Sequence, residues 1–182
     1  MTFTLPRDTA TRPIAVLGAG TLGRRIALML ATRGAEVRLW ARSAATRDAG
    51  AAFATEHLPA LLSRLPDGRA GRIVAVGDLA AALAGAWLVV ESVPEDLELK
   101  KAIFRQVDAL ADADAILASN SSSFASSRFA DSVRDPARLL NLHFLMPPDI
   151  TPVELMSCGR TDPAVIERLA GLLPGWGLTP YV

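Results

Sequence analysis

The chain has 182 residues, 51% of them apolar, which is enough to bury one substantial core and short for two independent domains. Its 19 basic and 19 acidic side chains cancel and are spread along the sequence, so nucleic acid and anionic membranes have no electrostatic case as partners. One cysteine, Cys158, excludes an internal disulfide, and with two histidines it is a poor ligand supply for a metal site; a reducing, cytoplasmic setting is expected.

The segment before Arg12 carries Arg7 and Asp8 and no apolar stretch, so it reads as neither signal nor anchor. Residues 1–12 are expected to form a flexible tail. The run Pro13 to Leu17 reads as a buried strand, Gly18-Ala19-Gly20 as a tight turn, and Leu22 to Arg33 as a helix stopped by Gly34. Glu36 to Trp40 then closes a βαβ unit. Ala44 to Leu65 is alanine-rich and helical in character, and Pro66-Asp67-Gly68 turns the chain into a short strand, Ile73 to Val76. The apolar stretch Leu79 to Val90 is broken by Gly85 and is too short to span a bilayer; it divides into a small helix, Leu79 to Ala84, and a buried strand, Trp87 to Val90.

An amphipathic helix over Leu97 to Leu110 and a strand over Ala115 to Ala118 continue the alternation. Next come a serine-rich loop, Ser119 to Ser123, and a helix start near Phe124. A strand at Leu139 to His143, a loop at Pro147 to Pro152, a strand at Val153 to Met156 and a helix at Ala164 to Leu173 follow, and Leu178 to Val182 reads as a strand cut short. Alternating strands and helices with short connections imply a doubly wound, mostly parallel sheet, because right-handed crossovers cover both faces with helices.

Gly18-Ala19-Gly20-Thr21-Leu22-Gly23 matches G-x-G-x-x-G between a strand and a helix, the setting in which that motif binds a dinucleotide. Gly18 permits the turn, Gly20 lets a pyrophosphate approach the backbone, and Gly23 brings helix and strand together. The helix start at Thr21 and Leu22 offers free N–H groups to the phosphates. An acid at the end of the second strand ordinarily holds the ribose hydroxyls of NAD; Ala41-Arg42-Ser43 stands there instead, which favours the 2′-phosphate of NADP. Arg42 as a solvated strand-end residue is the plainer alternative.

Three later segments resemble the 3-hydroxyacyl-CoA dehydrogenases. Val89-Val90-Glu91-Ser92-Val93-Pro94-Glu95-Asp96-Leu97-Glu98-Leu99-Lys100 resembles the strand and helix beside their nicotinamide ribose. Ser119-Asn120-Ser121-Ser122-Ser123 resembles their S-N-T-S-S loop, and His143-Phe144-Leu145-Met146-Pro147 with Val153-Glu154-Leu155-Met156 their H-F-F-N-P and V-E-V segments. The resemblance spans about residues 13 to 182, the extent of the expected Rossmann-type domain.

It implies an oxidoreductase that moves a hydride between NAD or NADP and the C3 hydroxyl of a small-molecule substrate, an acyl-CoA. His143 would be the general acid/base, Glu154 its carboxylate partner, and Ser122 a hydrogen-bond donor to the C3 oxygen. Glu95, Lys100 and Asn120 would lie at the cofactor. Each residue also has a purely structural reading: His143 as a strand-end histidine, Ser122 as a helix cap, Glu154, Glu95 and Lys100 as surface charges. His57 and Cys158 have no partnering motif.

Two departures shape the expectation. Met146 stands where the family pattern has asparagine, and Ser43 to Arg72 is shorter than the family's helical hairpin, which favours a small hydroxy acid without CoA as an alternative substrate. Arg47, Arg64 and Arg69 remain candidates to meet a CoA phosphate. The all-helical domain that the family adds after this one, and through which a homodimer would mainly form, is not expected within these residues. A dinucleotide-binding module without turnover is therefore a further alternative.

Overall fold

A computed structural model describes residues 3–182. The first strand, β1 (Ile14–Leu17), is wholly buried and leads through the glycine turn into α1 (Thr21–Leu30) and β2 (Glu36–Trp40). The chain continues through α2 (Ala44–Leu62), β3 (Arg72–Val76), α3 (Leu79–Leu83), β4 (Leu88–Glu91), α4 (Leu97–Leu110) and β5 (Ile116–Ser119). A long hairpin, β6 (Leu139–Met146) and β7 (Ile150–Ser157), precedes α5 (Pro163–Leu172) and β8 (Thr179–Tyr181).

The eight strands form one sheet in the order β3-β2-β1-β4-β5-β6-β7-β8, parallel except where β7 runs antiparallel to β6. The first six strands carry the 3-2-1-4-5-6 order of the Rossmann fold, so the expected doubly wound sheet is present. Side-chain alternation divides the core between the two faces. Ile14, Val16, Val90 and Ile116 pack with residues of α1, α2 and α5, while Ala15, Leu17, Val89 and Leu117 pack with residues of α3 and α4.

Several expectations change in detail. Residues 1–12 were expected to be a flexible tail, yet Phe3 is buried in the core and its N–H donates to the Asp135 carboxylate at 3.0 Å. Arg12 holds Asp114 through two bonds of 2.6 and 2.9 Å. An aromatic ring and a guanidinium with partners at hand are enough to dock this segment; Met1 and Thr2 lie outside the described residues. Instead of a helix near Phe124, three single 3₁₀ turns occupy Ser126–Arg128, Ala130–Ser132 and Pro136–Arg138. The loop expected over Pro147 to Pro152 contracts to a turn, because Ile150 through Pro152 already belong to β7, where Ile150 pairs with Met146 of β6 and Pro152 with Thr179 of β8. Helix α1 ends at Leu30 and α2 at Leu62, while Gly34, with φ +83°, serves the turn at which Arg33 pairs with Arg69.

No helix among the described residues is long and apolar enough to cross a membrane.

Candidate active site

Strand order reverses between β1 and β4, and an open α/β sheet leaves a crevice there, beyond the carboxyl ends of its strands. A cleft of about 880 Å³ opens at that point. Its floor is the glycine turn. Gly18 has φ +113°, and a Cβ there would lie 2.2 Å from the Ser92 carbonyl oxygen, so neither the conformation nor the space admits a side chain. A Cβ on Gly23 would meet the Gly18 carbonyl at 1.9 Å, which lets α1 rest directly on the turn. Gly20 differs: nothing lies within 4 Å of its would-be Cβ.

The structure thus leaves room above Gly20, at the start of a ten-residue helix with no side-chain cap and no acid in its first turn. Free N–H groups and the positive end of the helix dipole suit a pyrophosphate. The residues present therefore fit a dinucleotide. Thr21, Leu22, Arg42 and Ser43 line the same cleft, with Trp40 at the end of β2. Arg42 is exposed on the rim, and the Ser43 hydroxyl accepts the Thr46 N–H at 3.3 Å as the cap of α2.

On the other side of the switch point the cleft is lined by Glu95, Lys100, Asn120, Ser122 and His143. Glu95 takes the Ser121 hydroxyl at 2.8 Å and the Ser122 N–H at 3.0 Å. Burial raises the Glu95 carboxyl, but the Ser121 hydroxyl, the Lys100 charge and the Ser122 N–H together outweigh it and hold the group below the usual glutamate range. Lys100 is not the surface charge its helical position suggests: it is 1% exposed, and its ammonium contacts Glu91 at 2.8 Å and Glu95 at 3.3 Å. Asn120 accepts the Phe144 N–H at 2.8 Å and so joins the serine loop to β6.

His143 and Glu154 are direct cross-strand partners in the β6–β7 hairpin, eleven residues apart in sequence. The His143 Nδ1–H donates to the Glu154 carboxylate at 2.8 Å, which leaves Nε2 free to exchange a proton. Glu154 itself stands behind the ring and does not line the cleft. The tip of the hairpin is tied to α1 by Arg25, whose guanidinium donates to the Pro147 carbonyl at 3.2 Å and to Asp149 at 3.0 Å.

Of the residues expected at the site, all but Glu154 line one cleft, and Glu154 reaches it through His143. The sequence reading missed the groups beneath. Ser121, rather than Ser122, makes the local cap, accepting the Phe124 N–H at 2.9 Å. Glu91, Ser119 and Asn141 support the loops from inside the core. An acid closing an otherwise apolar strand, as Glu91 does after Leu88-Val89-Val90, was the available signal.

Sheet order and glycine turn are those of a Rossmann-type dinucleotide-binding domain. Residues 13–182 match the family described as 3-hydroxyacyl-CoA dehydrogenase, NAD binding domain, and the chain belongs to that family. It is 31% identical over 175 residues to 5-formyl-3-hydroxy-2-methylpyridine 4-carboxylate 5-dehydrogenase of Mesorhizobium japonicum, covering 94% of this chain and 57% of that protein. It is 34% identical over 180 residues to 3-hydroxyadipyl-CoA dehydrogenase of Escherichia coli, covering 92% of this chain and 36% of that one. Among solved structures, the 5-formyl-3-hydroxy-2-methylpyridine 4-carboxylic acid 5-dehydrogenase described as an NAD+ dependent dismutase superposes with a TM-score of 0.86 at 28% identity, over 94% of this chain and 57% of that one. A (S)-3-hydroxybutyryl-CoA dehydrogenase from Ralstonia eutropha gives 0.82 at 26% identity, over 93% and 62%. The chain therefore spans between about a third and three fifths of these relatives' lengths.

Proposed function

We propose that this chain binds a nicotinamide dinucleotide and carries the proton-transfer pair of a dehydrogenase acting on the C3 hydroxyl or keto group of a 3-hydroxyacyl-CoA. One observation carries the reading: the His143–Glu154 pair opens onto the same cleft as the glycine turn. The N-terminus of α1 binds the pyrophosphate, with Gly18, Gly20, Thr21, Leu22 and Gly23 forming the seat. Glu95, Lys100 and Asn120 border the nicotinamide half, since that half of a dinucleotide lies over the second set of strands. Bound there, the nicotinamide ring supplies the hydride acceptor.

His143 Nε2 then takes the proton from the substrate hydroxyl as general base, and Glu154 orients the ring and stabilises the imidazolium. Ser122 hydrogen-bonds the C3 oxygen, which polarises the keto group in the reducing direction. The corner Ala41-Arg42-Ser43 supports NADP over NAD, because it offers a guanidinium and no carboxylate. A cytoplasmic location goes with the free, buried thiol of Cys158.

A second reading keeps the chemistry and replaces the acyl-CoA by a small hydroxy acid. Met146, partly exposed at the end of β6, is apolar, and the relatives include a dehydrogenase named for a pyridine carboxylate. Comparing turnover of 3-hydroxybutyryl-CoA with that of free 3-hydroxybutyrate separates the two; preference for the free acid selects the second. Replacing His143 by alanine should lower kcat/KM about 10²- to 10⁴-fold while leaving cofactor affinity near wild type. Unchanged turnover would remove His143 from the reaction.

A further inference from the structure

We propose that Glu91 is the positioning residue of the cleft, fixing Glu95 and the serine loop through Lys100 and Ser119; the inference rests on the dinucleotide-binding reading above. Glu91 ends β4, in the middle of the sheet between β1 and β5, and is fully buried. Both of its oxygens are used. One accepts the Val93 N–H and the Lys100 ammonium, each at 2.8 Å; the other accepts the Ser119 hydroxyl at 2.6 Å.

Each of those three bonds leads to a different wall of the cleft. The bond to Val93 sets the turn that carries Ser92 to Glu95. The bond to Lys100 draws α4 inward, and the same ammonium reaches the Val93 carbonyl and Glu95, both at 3.3 Å. The bond to Ser119 anchors the end of β5, where the Ser119 oxygen also accepts the Ser121 N–H at 3.3 Å. Ser121 and the Ser122 N–H in turn close on Glu95, so the network is a ring that begins and ends at the cleft.

A buried ion pair contributes little net stability compared with apolar side chains of the same shape, because desolvation offsets the attraction. What Glu91 and Lys100 supply that leucine and methionine would not is direction: an anion that aims one ammonium at Glu95 and one hydroxyl at the serine loop. Glu91 touches neither cofactor nor substrate in this scheme.

The test is a double-mutant cycle on dinucleotide affinity, read by nicotinamide fluorescence with NADH or NADPH, whichever binds the wild-type chain more tightly. Glu91→Gln and Glu95→Gln should each weaken binding about tenfold, the scale of one charged hydrogen bond. Because Glu91 acts through Glu95, the double variant should be no weaker than the worse single one. Losses that multiply to about a hundredfold would mean independent roles and overturn the inference, as would wild-type affinity in Glu91→Gln. If Glu91→Gln fails to give a cooperative thermal melt, Ser119→Ala, which removes one of the three Glu91 bonds at a residue outside the cleft lining, carries the test in the same cycle. Weaker binding that does not add to the loss in Glu95→Gln supports the positioning role, and wild-type affinity overturns it. Failure of the wild-type chain to bind either dinucleotide overturns the dinucleotide reading, and the inference with it.

Discussion

Of three glycines within six residues, Gly18 and Gly23 have no room for a methyl group and Gly20 does. Gly18→Ala adds a Cβ 2.2 Å from a backbone oxygen at positive φ, so it should destabilise the fold by about 1–3 kcal/mol and lower the melting temperature. Gly20→Ala adds its methyl to open space at φ −68°, an ordinary angle for any residue. It should melt close to wild type and still lose dinucleotide affinity, because the methyl occupies the approach to the helix N-terminus. Equal affinity in Gly20→Ala would mean that the pyrophosphate does not lie there. The spacing of the motif foretold this division of labour, since each glycine's task follows from a strand-turn-helix geometry that the sequence already displays. Glu91 was harder to read. Its role depends on Lys100 and Ser119, nine and twenty-eight residues away, and only folding brings those groups to one point.

At the scale of elements, the central strands were legible because they are short apolar runs buried on both faces, which the sequence marks with Gly, Pro and charged residues on either side. The hairpin was less so. Prolines at 147, 148 and 152 suggested a loop, yet Pro152 lies in β7 at the register shift between Phe144 and Met146, where it has no partner on β6, and aligns with Thr179 of the three-residue β8. The first 3₁₀ turn after the serine loop, Ser126–Arg128, was missed because Asn141 on β6 fixes its start: its side chain accepts the Ser126 N–H and donates to the Ser121 and Phe124 carbonyls. Helix α5 offers a control remote from the cleft. Asp162 caps it by accepting the Ala164 N–H at 2.9 Å, so Asp162→Ala should cost about 0.5–2 kcal/mol in denaturant unfolding while leaving dinucleotide affinity unchanged. A matching loss of affinity would show that α5 and the cleft are coupled.

For the molecule as a whole, acid should be the weak side. Burial raises the Asp108 carboxyl, but Arg138 and Arg134 more than reverse this, and Asp114 is held low chiefly by its hydrogen bond to Arg12. Glu36 is held low by Arg72 and then Arg38. Each group has a lower pKa folded than unfolded, so the unfolded chain binds more protons as the pH falls. The stability these groups contribute is complete above the unfolded carboxylate range, roughly pH 4 to 4.5, and is lost as the pH drops below it toward their folded values. Urea unfolding at pH 7 and pH 3 should show that loss. Asp108→Asn should shallow the acid slope, yet cost about 3–5 kcal/mol at neutral pH by leaving the buried Arg138 guanidinium without its anion. An unchanged acid slope in that variant would remove Asp108 from the acid response.

The doubly wound, mostly parallel sheet and the motif spacing were both legible in the sequence, while the strand order that places the cleft came from the fold. The dinucleotide's 2′ substituent and the substrate were not, because both depend on contacts that only a bound ligand completes. Titrating the purified chain with NADH and NADPH, followed by nicotinamide fluorescence, addresses the cleft directly. Saturable binding of both, tighter for NADPH, is expected; saturation by neither would contradict a dinucleotide site at the glycine turn.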